Sequence, residues 1–528
     1  MLWLTAACRA GARGLILFVL LALAGVSAAL ADDLYHSGDI DVRWDNTLRY
    51  TAGFRVEPRD NALLYANANT DDGDRNFDPG LITNRLDALS QFELTDGDFG
   101  LRVSVAGWYD SVYRQRNDND SPATFNPFSV PHDKFTRAVR VLHGADVELD
   151  DAFVHGSFDV AGRPLTFRIG RYVQVWGESV FFGETSIAGG QAPTDVIQEL
   201  TQPASYAKAL FMPVWQTSAT AQLSDNVSVS ADYQFQWRKD RQPGASSYFS
   251  WLDFMDEGGE RIILSPGHYL YRGHDQRPPD GGQFGVALNV SGSDLSYGFY
   301  ALRFDAKEPQ LYLFPGRGSH GDGKYQLVYP TEIELYGASL SSYIGDDDVA
   351  GELSLRSNQP LVSTPAIVSP GEIADNEGNA RYAIGNALHG QASEHHVFAA
   401  NALWDRAELN VEMAADDRLS VARNAAAFDR SRDRFSTALE ATFEPQYFEV
   451  LPALDLSVPI TFGHGLIGRS SIDDSEDTYG SGTFSLGVSA TYRSVWQGSV
   501  NFTHFLGSPA NQFLADRDFV LFTVQRTF

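Results

Sequence analysis

Apolar and polar residues alternate with a period of two along many segments of the chain. In residues 227–237, the odd-numbered positions are Val, Val, Ala, Tyr, Phe and Trp, whereas the even-numbered positions are Ser, Ser, Asp, Gln and Gln. Successive side chains of a β-strand point to opposite faces, so each such segment is predicted to be a strand with one apolar and one polar face. The same alternation occurs in residues 42–54, 284–290, 349–355, 407–413, 435–443, 484–492 and 496–502.

The links between these predicted strands are alternately short and long. Short links are rich in Gly, Asp, Asn and Ser, which favour turns. Membrane barrels pair short turns at one end with long loops at the other, a rhythm that a soluble sandwich has no reason to keep. We therefore expect an all-β fold, a transmembrane antiparallel β-barrel of about 18 strands, with 14–18 compatible with the pattern. The long links are expected at residues 55–89, 109–144, 173–213, 238–282, 305–332, 357–395, 415–433, 462–481 and 506–517.

The N-terminal residues have the anatomy of a secretory signal peptide. Arg9 and Arg13 precede an apolar stretch, residues 14–30, and a small-x-small pattern of the kind that signal peptidase cleaves ends that stretch. We expect residues 1–31 to be removed, which leaves residues 32–528 as a single barrel domain.

Composition narrows the class of protein further. Cys8 is the only cysteine, so the mature chain is expected to hold together without disulfides. Removing the two arginines of the signal segment changes the net charge from −28 to −30, which argues against nucleic acid as a partner. After the signal segment no apolar run reaches the length of a transmembrane helix, while aromatic residues make up 12% of the chain. These features favour the outer membrane of a Gram-negative bacterium.

The last predicted strand, residues 518–528, ends in an aromatic residue. Val520, Phe522, Val524 and the terminal Phe528 share its apolar face. An amphipathic final strand of this kind resembles the signal that the barrel-insertion machinery reads, so Phe522, Val524 and Phe528 are the expected insertion signal. The alternative is an ordinary strand that happens to end in Phe.

A segment near the N-terminus is dense in charged residues. Three carboxylates within four positions surround Gly73, which makes Asp71, Asp72 and Asp74 a weak candidate for Ca²⁺. The spacing is not that of an EF-hand, and nearby arginines offer ion pairs within the segment. We therefore favour a folded or plugging loop satisfied by its own salt bridges. The residues of this predicted loop network are Asp71, Asp72, Asp74, Arg75, Arg85 and Asp87.

A second group of candidate residues follows a predicted strand. Arg171, Trp176 and Glu178 belong to the run Gly-Arg-Tyr-Val-Gln-Val-Trp-Gly-Glu-Ser, where a strand gives way to a long loop. We expect the loop to turn inward and these three side chains to line a pore constriction, although a network that only anchors the loop fits equally well. Further along, Asp195 and Gln198 are expected to cap a short helix.

Several stretches together resemble a known family. They are residues 71–77, 84–87, 151–154, 170–179, 233–237, 329–333, 336–339, 351–353 and 516–519. Together they resemble a proteobacterial family catalogued as domain of unknown function 1302, over essentially the whole mature chain. The chain departs from the pattern at Tyr172, where Gln is expected, and at residues 189–193, where the approach to Pro is less rich in Asn. The resemblance implies an outer-membrane protein, often accompanied by a periplasmic partner and found beside genes for the breakdown of hydrophobic compounds.

These observations favour a channel for the uptake of hydrophobic or amphipathic organic compounds of the sterol, terpenoid or aliphatic class. Residues 67–87 and 173–200 are its expected gates. Two alternatives remain, a general cation-biased porin for polar solutes, or an outer-membrane esterase, phospholipase or adhesin. The chain contains no Gly-x-Ser-x-Gly, Walker or His-Glu-x-x-His motif, so we expect no enzyme and no cofactor. Expected partners are membrane lipid, lipopolysaccharide, the insertion machinery and a periplasmic protein.

Overall fold

The computed structural model describes residues 33–202, 205–316, 322–473 and 479–528. The predicted signal peptide, residues 1–31, lies outside the described residues. Within these ranges, no helix combines the length and the apolar character needed to cross a membrane.

The chain is built mostly from strands, which we number β1–β25 in chain order. They are β1 Asp33–Ser37, β2 Ile40–Arg55, β3 Gly80–Asp96, β4 Phe99–Asp110, β5 Ala145–Val160, β6 Arg163–Tyr172, β7 Val214–Ser224, β8 Val227–Gln234, β9 Arg261–Ser265, β10 His268–Arg272, β11 Gln283–Ser291, β12 Leu295–Phe304, β13 Gln310–Phe314, β14 Gly323–Val328, β15 Ile333–Ile344, β16 Asp347–Pro360, β17 Ala366–Ile367, β18 Ile384–Phe398, β19 Arg406–Arg423, β20 Phe435–Leu451, β21 Leu454–Ser457, β22 Ile460–Ile467, β23 Ser481–Tyr492, β24 Trp496–Gly507 and β25 Phe519–Thr527.

Most of these strands form one closed antiparallel barrel with an 18-strand wall, which confirms the predicted fold class. β21 and β22 are two halves of one wall strand, interrupted where Pro459 cannot donate a backbone hydrogen bond. The last strand β25 pairs with β2, from Thr47 opposite Thr527 to Arg55 opposite Phe519, and this pairing closes the wall. Because the sheet closes on itself, the wall strands leave no long free edge.

The wall has the reverse polarity of a water-soluble barrel. On β8, Ala231 and Tyr233 are exposed on the outer surface, whereas Ser230, Asp232 and Gln234 are buried and face inward. Other wall strands repeat this arrangement, with Phe284 and Val286 exposed on β11. The apolar face predicted from the alternation is therefore the outer face, as in proteins surrounded by lipid.

Some long links are shorter than predicted because strands extend into them. β3 begins at Gly80, so Arg85 and Asp87 lie on the wall and not in a loop. Likewise, β18 begins at Ile384, inside the predicted link 357–395, and β19 extends to Arg423, inside the predicted link 415–433. These extensions carry polar residues on both faces, so a period of two in hydropathy gives no signal there.

The loops at the long-loop end fold into a second structure that the alternation does not predict. β9, β10, β13, β14 and β17 form a separate sheet, in which β10 and β14 run parallel. A buried core lies against it, formed by Trp237, Ile262, Leu270, Tyr325, Leu327 and Tyr329. We call this sheet and its core the cap. Trp237, predicted to end a wall strand, is instead part of the cap, because β8 stops at Gln234.

Helices in the described residues are short. They are Asn61–Leu64, Asp72–Arg75, Arg137–Val139, Val196–Thr201 and Ala207–Leu210. The carboxylate of Asp195 accepts a hydrogen bond from the Gln198 backbone N–H at 3.1 Å, which confirms the predicted helix cap.

Candidate functional site

The loop between β6 and β7 folds into the barrel, and its described residues, 173–202 and 205–213, contact inward-facing side chains of the wall; we call these residues the inward loop. The carboxylate of Glu412, on β19, accepts hydrogen bonds from the backbone N–H groups of Val180 at 3.0 Å, Phe181 at 2.6 Å and Phe182 at 2.9 Å. One buried wall carboxylate thus satisfies three consecutive backbone donors of the loop.

A second wall carboxylate holds the start of the same loop. Glu352, on β16, accepts from the backbone N–H groups of Ile187 at 2.8 Å and Glu178 at 2.9 Å. Gly177 beside it has φ +91°, and a Cβ at this position would lie 2.3 Å from Glu352 Oε2. Only glycine therefore lets the loop backbone approach this carboxylate so closely.

Cationic side chains hold carbonyl groups of the inward loop. Lys307 donates from Nζ to the backbone oxygens of Gly189 at 2.9 Å and Gly190 at 3.2 Å. Arg356, on β16, donates to the backbone oxygens of Thr185 and Ser186. Burial lowers the pKa of Lys307 to about 8, while Asp240 nearby opposes that shift. Wall charges of both signs therefore fix the loop through its backbone.

Arg171 lies apart from the other two predicted constriction residues. Trp176 stacks on Tyr300, with ring centroids 6.1 Å apart. Glu178 offers its backbone N–H to the wall, and burial raises the pKa of its side chain. Arg171 pairs with Glu148 at 3.2 Å and also donates to wall carbonyls. No contact recorded among the described residues joins Arg171 to Trp176 or Glu178, so they do not form one cluster.

A charged cluster in the lumen centres on Glu148, a residue of β5. Three arginines donate to its carboxylate, namely Arg171, Arg238 at 2.6 Å and Arg241. Arg241 also pairs with Asp195 at 2.7 Å, which ties it to the inward loop. The cluster therefore joins the wall, the inward loop and the loop after β8.

A cavity of about 550 Å³ lies inside the barrel beside this cluster. Its lining includes Arg49 on β2, Arg85 on β3, and Gln497 and Gln525 near the short-turn end of the wall. Aromatic and aliphatic side chains share the same lining, among them Trp108, Tyr113, Tyr248, Phe249, Ile197 and Leu521. The cavity thus offers both charged and apolar surface.

Trp108, Leu142 and Arg241 stand where this cavity meets another. A second cavity, of about 760 Å³, has these same three residues in its lining and reaches residues 136–138 and Glu260 in the long loops. The first cavity reaches toward the short-turn end instead. We call Trp108, Leu142 and Arg241 the junction, because they line both cavities.

Cationic groups flank the aromatic ring of the junction. The Arg85 guanidinium lies 5.2 Å from the Trp108 ring centroid, and that of Arg241 lies 5.8 Å from it. The indole N–H of Trp108 donates to the Leu142 backbone oxygen at 3.0 Å. The ring is therefore held in place, with two guanidinium groups close to it.

The charge of the first cavity differs from that of the whole chain. Three arginines, Arg49, Arg85 and Arg241, face three aspartates, Asp87, Asp110 and Asp195, although the chain carries a net charge of −28. Asp110 is buried and accepts backbone N–H groups, and Asp195 caps a helix. The acidity of the chain is therefore not concentrated in this cavity.

The predicted loop network divides into three parts. Arg75 pairs with Asp71 at 2.5 Å, an ion pair within the segment. Asp74 pairs instead with Arg55 of β2, at 2.7 Å, and so leaves the predicted Asp71, Asp72 and Asp74 trio. On the wall, Arg85 pairs with Asp87 at 2.7 Å and both line the first cavity.

The residues of the expected insertion signal lie at the seam of the barrel. Phe522 is exposed on the outer face, Val524 is half-buried, and the terminal Phe528 exchanges backbone hydrogen bonds with Asn46 at 2.8 and 2.9 Å. Arg526, on the same strand, lies 5.1 Å from the ring of Trp496. Their role in insertion stays a prediction.

Sequence reasoning did not identify the junction. Trp108 shares a face of β4 with Ser104 and Asp110, so an aromatic residue at a polar position of the alternation is the signal that marks it. Leu142 lies in the short helical segment Arg140–Gly144 and Arg241 in a loop, so the period of two that marks strands places neither of them.

Comparison with known proteins identifies the family of the chain. The model of a family described as "Protein of unknown function (DUF1302)" matches residues 10–528. No curated protein matches the chain. Solved structures with a similar fold include OccAB4 of Acinetobacter baumannii, at 11% identity and TM-score 0.43, covering 92% of this chain and 98% of that one. OccD3 of Pseudomonas aeruginosa matches at 11% identity and TM-score 0.40, covering 92% and 91%. The outer membrane channel DcaP of Acinetobacter baumannii matches at 9% identity and TM-score 0.38, covering 94% and 99%.

Proposed function

The chain belongs to the DUF1302 family, and from the geometry of its lumen we propose that it is an outer-membrane channel for amphipathic organic compounds. The observation that carries the proposal is the pair of cavities that meet at Trp108, Leu142 and Arg241 inside a closed barrel. We infer that the two cavities form one path from the long-loop end to the short-turn end, and that the short-turn end faces the periplasm.

The polarity of the wall supports a location in a membrane. Large apolar side chains such as Phe299 and Leu353 are about half exposed on the outer surface, at 51% and 52%. Exposing so many apolar side chains to water is unfavourable, whereas lipid accepts them. A closed barrel also leaves no unpaired strand edge in lipid. We place it in the outer membrane of a Gram-negative bacterium, surrounded by lipid and lipopolysaccharide.

The lining of the first cavity supports the substrate class. Trp108, Leu142 and Ile197, which are only partly buried, offer apolar surface on which a carbon skeleton of the sterol, terpenoid or aliphatic class would pack. Arg49 and Arg85 offer donors to an acidic group on the same solute. Amphipathic acids therefore fit the lining better than wholly apolar compounds.

A general cation-biased porin is the second candidate, favoured by the net charge of −28. The equal number of arginines and aspartates around the first cavity weighs against it.

We propose that the chain is not an enzyme, and hydrolysis of a p-nitrophenyl ester by the purified protein, lost on replacing one Ser or His, would overturn this part.

Single-channel recording in planar bilayers tests the substrate class. We use taurocholate, an amphipathic sterol-class anion whose sulfonate keeps it from crossing lipid unaided. It should reduce the ion current of the wild-type channel. Arg241→Ala removes a junction cation, so the concentration needed for half-block should rise by roughly tenfold, the equivalent of one charge-assisted hydrogen bond.

Arg163→Ala is the matched control, because Arg163 pairs with Asp225 on a turn at the short-turn end, away from the junction. Its half-block concentration should equal that of the wild type. Current that taurocholate leaves unchanged, together with strong preference for cations, would favour the porin instead. The same half-block concentration in both variants would exclude the junction as the binding place.

A further inference from the structure

The carboxylates of three aspartates, which come from two loops far apart in sequence, lie close together. Asp71 and Asp72 lie between β2 and β3, and Asp253 lies between β8 and β9. One oxygen from each of the three lies within 4.8 Å of the others. All three residues are 0% exposed to solvent. Three negative charges at this distance without water are strongly unfavourable unless a cation or protons neutralise them.

Two oxygen atoms of this cluster lack well-placed hydrogen-bond donors. Asp71 Oδ1 and Asp253 Oδ1 are buried and accept no hydrogen bond of ordinary length and angle from the described residues, although the Thr124 hydroxyl lies near Asp71 and the Gly73 backbone N–H near Asp253. In contrast, both oxygens of Asp72 are held, Oδ1 by the side-chain amide of Asn119 at 3.2 Å and Oδ2 by the backbone N–H of Asn126 at 2.9 Å. Carboxylate oxygens that are buried and without donors are what a bound cation requires.

The nearby arginines do not neutralise the cluster. Arg55, Arg75 and Arg517 surround it, but only Arg75 reaches one of its carboxylates. Their acceptors are Asp74 and Asp516 for Arg55, Asp71 and Asp120 for Arg75, and the backbone oxygens of Tyr248 and Ser250 for Arg517. Within the described ranges, Asp72 and Asp253 therefore lie side by side without an ion pair. Burial, reinforced by the neighbouring Asp71, raises the pKa of Asp253 to about 7.

We propose that Asp71, Asp72 and Asp253 form a Ca²⁺ site that ties the two loops together. Oxygen ligands lie about 2.3–2.6 Å from Ca²⁺, so two of them on opposite sides of the ion are at most about 4.6–5.2 Å apart. The three ligand oxygens lie within 4.8 Å of one another, close enough to share one ion. Mg²⁺ demands a strict octahedron and usually keeps several of its waters, which a buried group of carboxylates does not favour, so Ca²⁺ is the better candidate.

The loop backbone is shaped to bring the ligands together. Gly73 follows two of them, and a Cβ there would lie 2.5 Å from the backbone oxygen of Ser250 and 2.7 Å from that of Ser247. Only glycine therefore lets the first loop pack against the segment that leads to Asp253. The Asp72 backbone N–H donates to Asp253 Oδ2 at 3.0 Å, which keeps the two side chains in register. The bound ion would make the contact between these loops dependent on Ca²⁺.

Calorimetry on the mature protein tests the site. The protein is refolded in detergent from inclusion bodies, so that no lipopolysaccharide supplies divalent cations, and is stripped with EDTA. We expect it to bind about one Ca²⁺ per chain, more tightly than Mg²⁺, and to unfold at a higher temperature once Ca²⁺ is added. No Ca²⁺ binding by the stripped wild-type protein would overturn the proposal without any variant.

Variants locate the site. Asp253→Asn keeps the shape of the side chain but removes a charged ligand, so Ca²⁺ affinity should fall by roughly tenfold or more and the thermal gain should disappear. Asp280→Asn is the matched control, because Asp280 is an exposed carboxylate of the same loop region. If Asp253→Asn fails to refold, Asp71→Asn replaces it. Equal affinity in the Asp253 and Asp280 variants would contradict the assignment.

Discussion

The inward loop and the cap are both made of long loops, but different forces hold them. The inward loop is fixed by charged wall side chains, since Glu412 alone accepts three of its backbone N–H groups. The cap is fixed by its own sheet and by a core in which Tyr325, Leu327 and Tyr329 are almost fully buried. Where the loop lies therefore depends on a few wall residues, whereas the stability of the cap is spread over many contacts.

Because of this difference, a single substitution that frees the inward loop should have a different effect from one in the core of the cap. Removing one wall charge leaves several buried backbone donors unsatisfied at once, at a cost of about 1–3 kcal/mol for each group. Removing one core side chain of the cap leaves the wall contacts of the inward loop intact. The first kind of change should alter conduction, and the second should alter only stability.

Glu412→Gln should have the largest effect on conduction. Gln keeps the size of the side chain but offers one acceptor oxygen for three backbone donors. We expect the inward loop to detach and the single-channel conductance to rise by roughly twofold or more as the lumen widens. Bilayer recording measures it.

Glu394→Gln is the control for this change, since Glu394 is an exposed residue of the neighbouring strand β18. Its conductance should match that of the wild type. Unchanged conductance in Glu412→Gln would contradict the claim that a few wall residues hold the inward loop, because it would mean that other contacts hold it.

Gly177→Ala should have a smaller effect on the same property. The residue has φ +91°, a backbone conformation that costs an L-residue about 1–2 kcal/mol, and the new Cβ would meet Glu352 Oε2. We expect the start of the inward loop to shift and current noise to increase, with little change in mean conductance. Gly378→Ala serves as control because open space surrounds it. If the current noise of Gly177→Ala equals that of the wild type, the loop tolerates the displacement.

Leu327→Ala should have the smallest effect on conduction. Leu327 is 0% exposed in the cap, so truncation should destabilise the cap by about 2–5 kcal/mol. Hydrogen–deuterium exchange should accelerate in β14 while the conductance stays at the wild-type value. A change in conductance as large as that of Glu412→Gln would show that cap and inward loop form one unit.

The wall could be predicted from the sequence because lipid on one side and a polar lumen on the other impose a period of two. That period located β8, β11 and β24 to within a few residues. It fails where a strand has water on both sides, as at the end of β19, and inside the loops, where the cap strands show no alternation.

The candidate sites could be predicted only in part. The motif with Trp176 and Glu178 marks a loop that does turn inward, but Arg241 and Asp253 lie in a long link whose path depends on tertiary contacts. Asp253 approaches Asp72 across a separation of 181 residues, and no local spacing reveals such a pair. The density of carboxylates around Asp71 and Asp72 indicates one part of the proposed Ca²⁺ site in the sequence. The third proposed ligand, Asp253, becomes apparent only in the folded structure, where the two loops lie together.

Flux into liposomes tests the proposed channel most directly. Proteoliposomes holding the mature protein are given radiolabelled taurocholate or, separately, arabinose, and initial uptake rates are compared with those of liposomes without protein. The account predicts that the protein accelerates taurocholate entry more than arabinose entry, and that Arg241→Ala reduces this preference. Equal rates for both solutes would mean a general porin, and no acceleration of either would contradict a channel altogether.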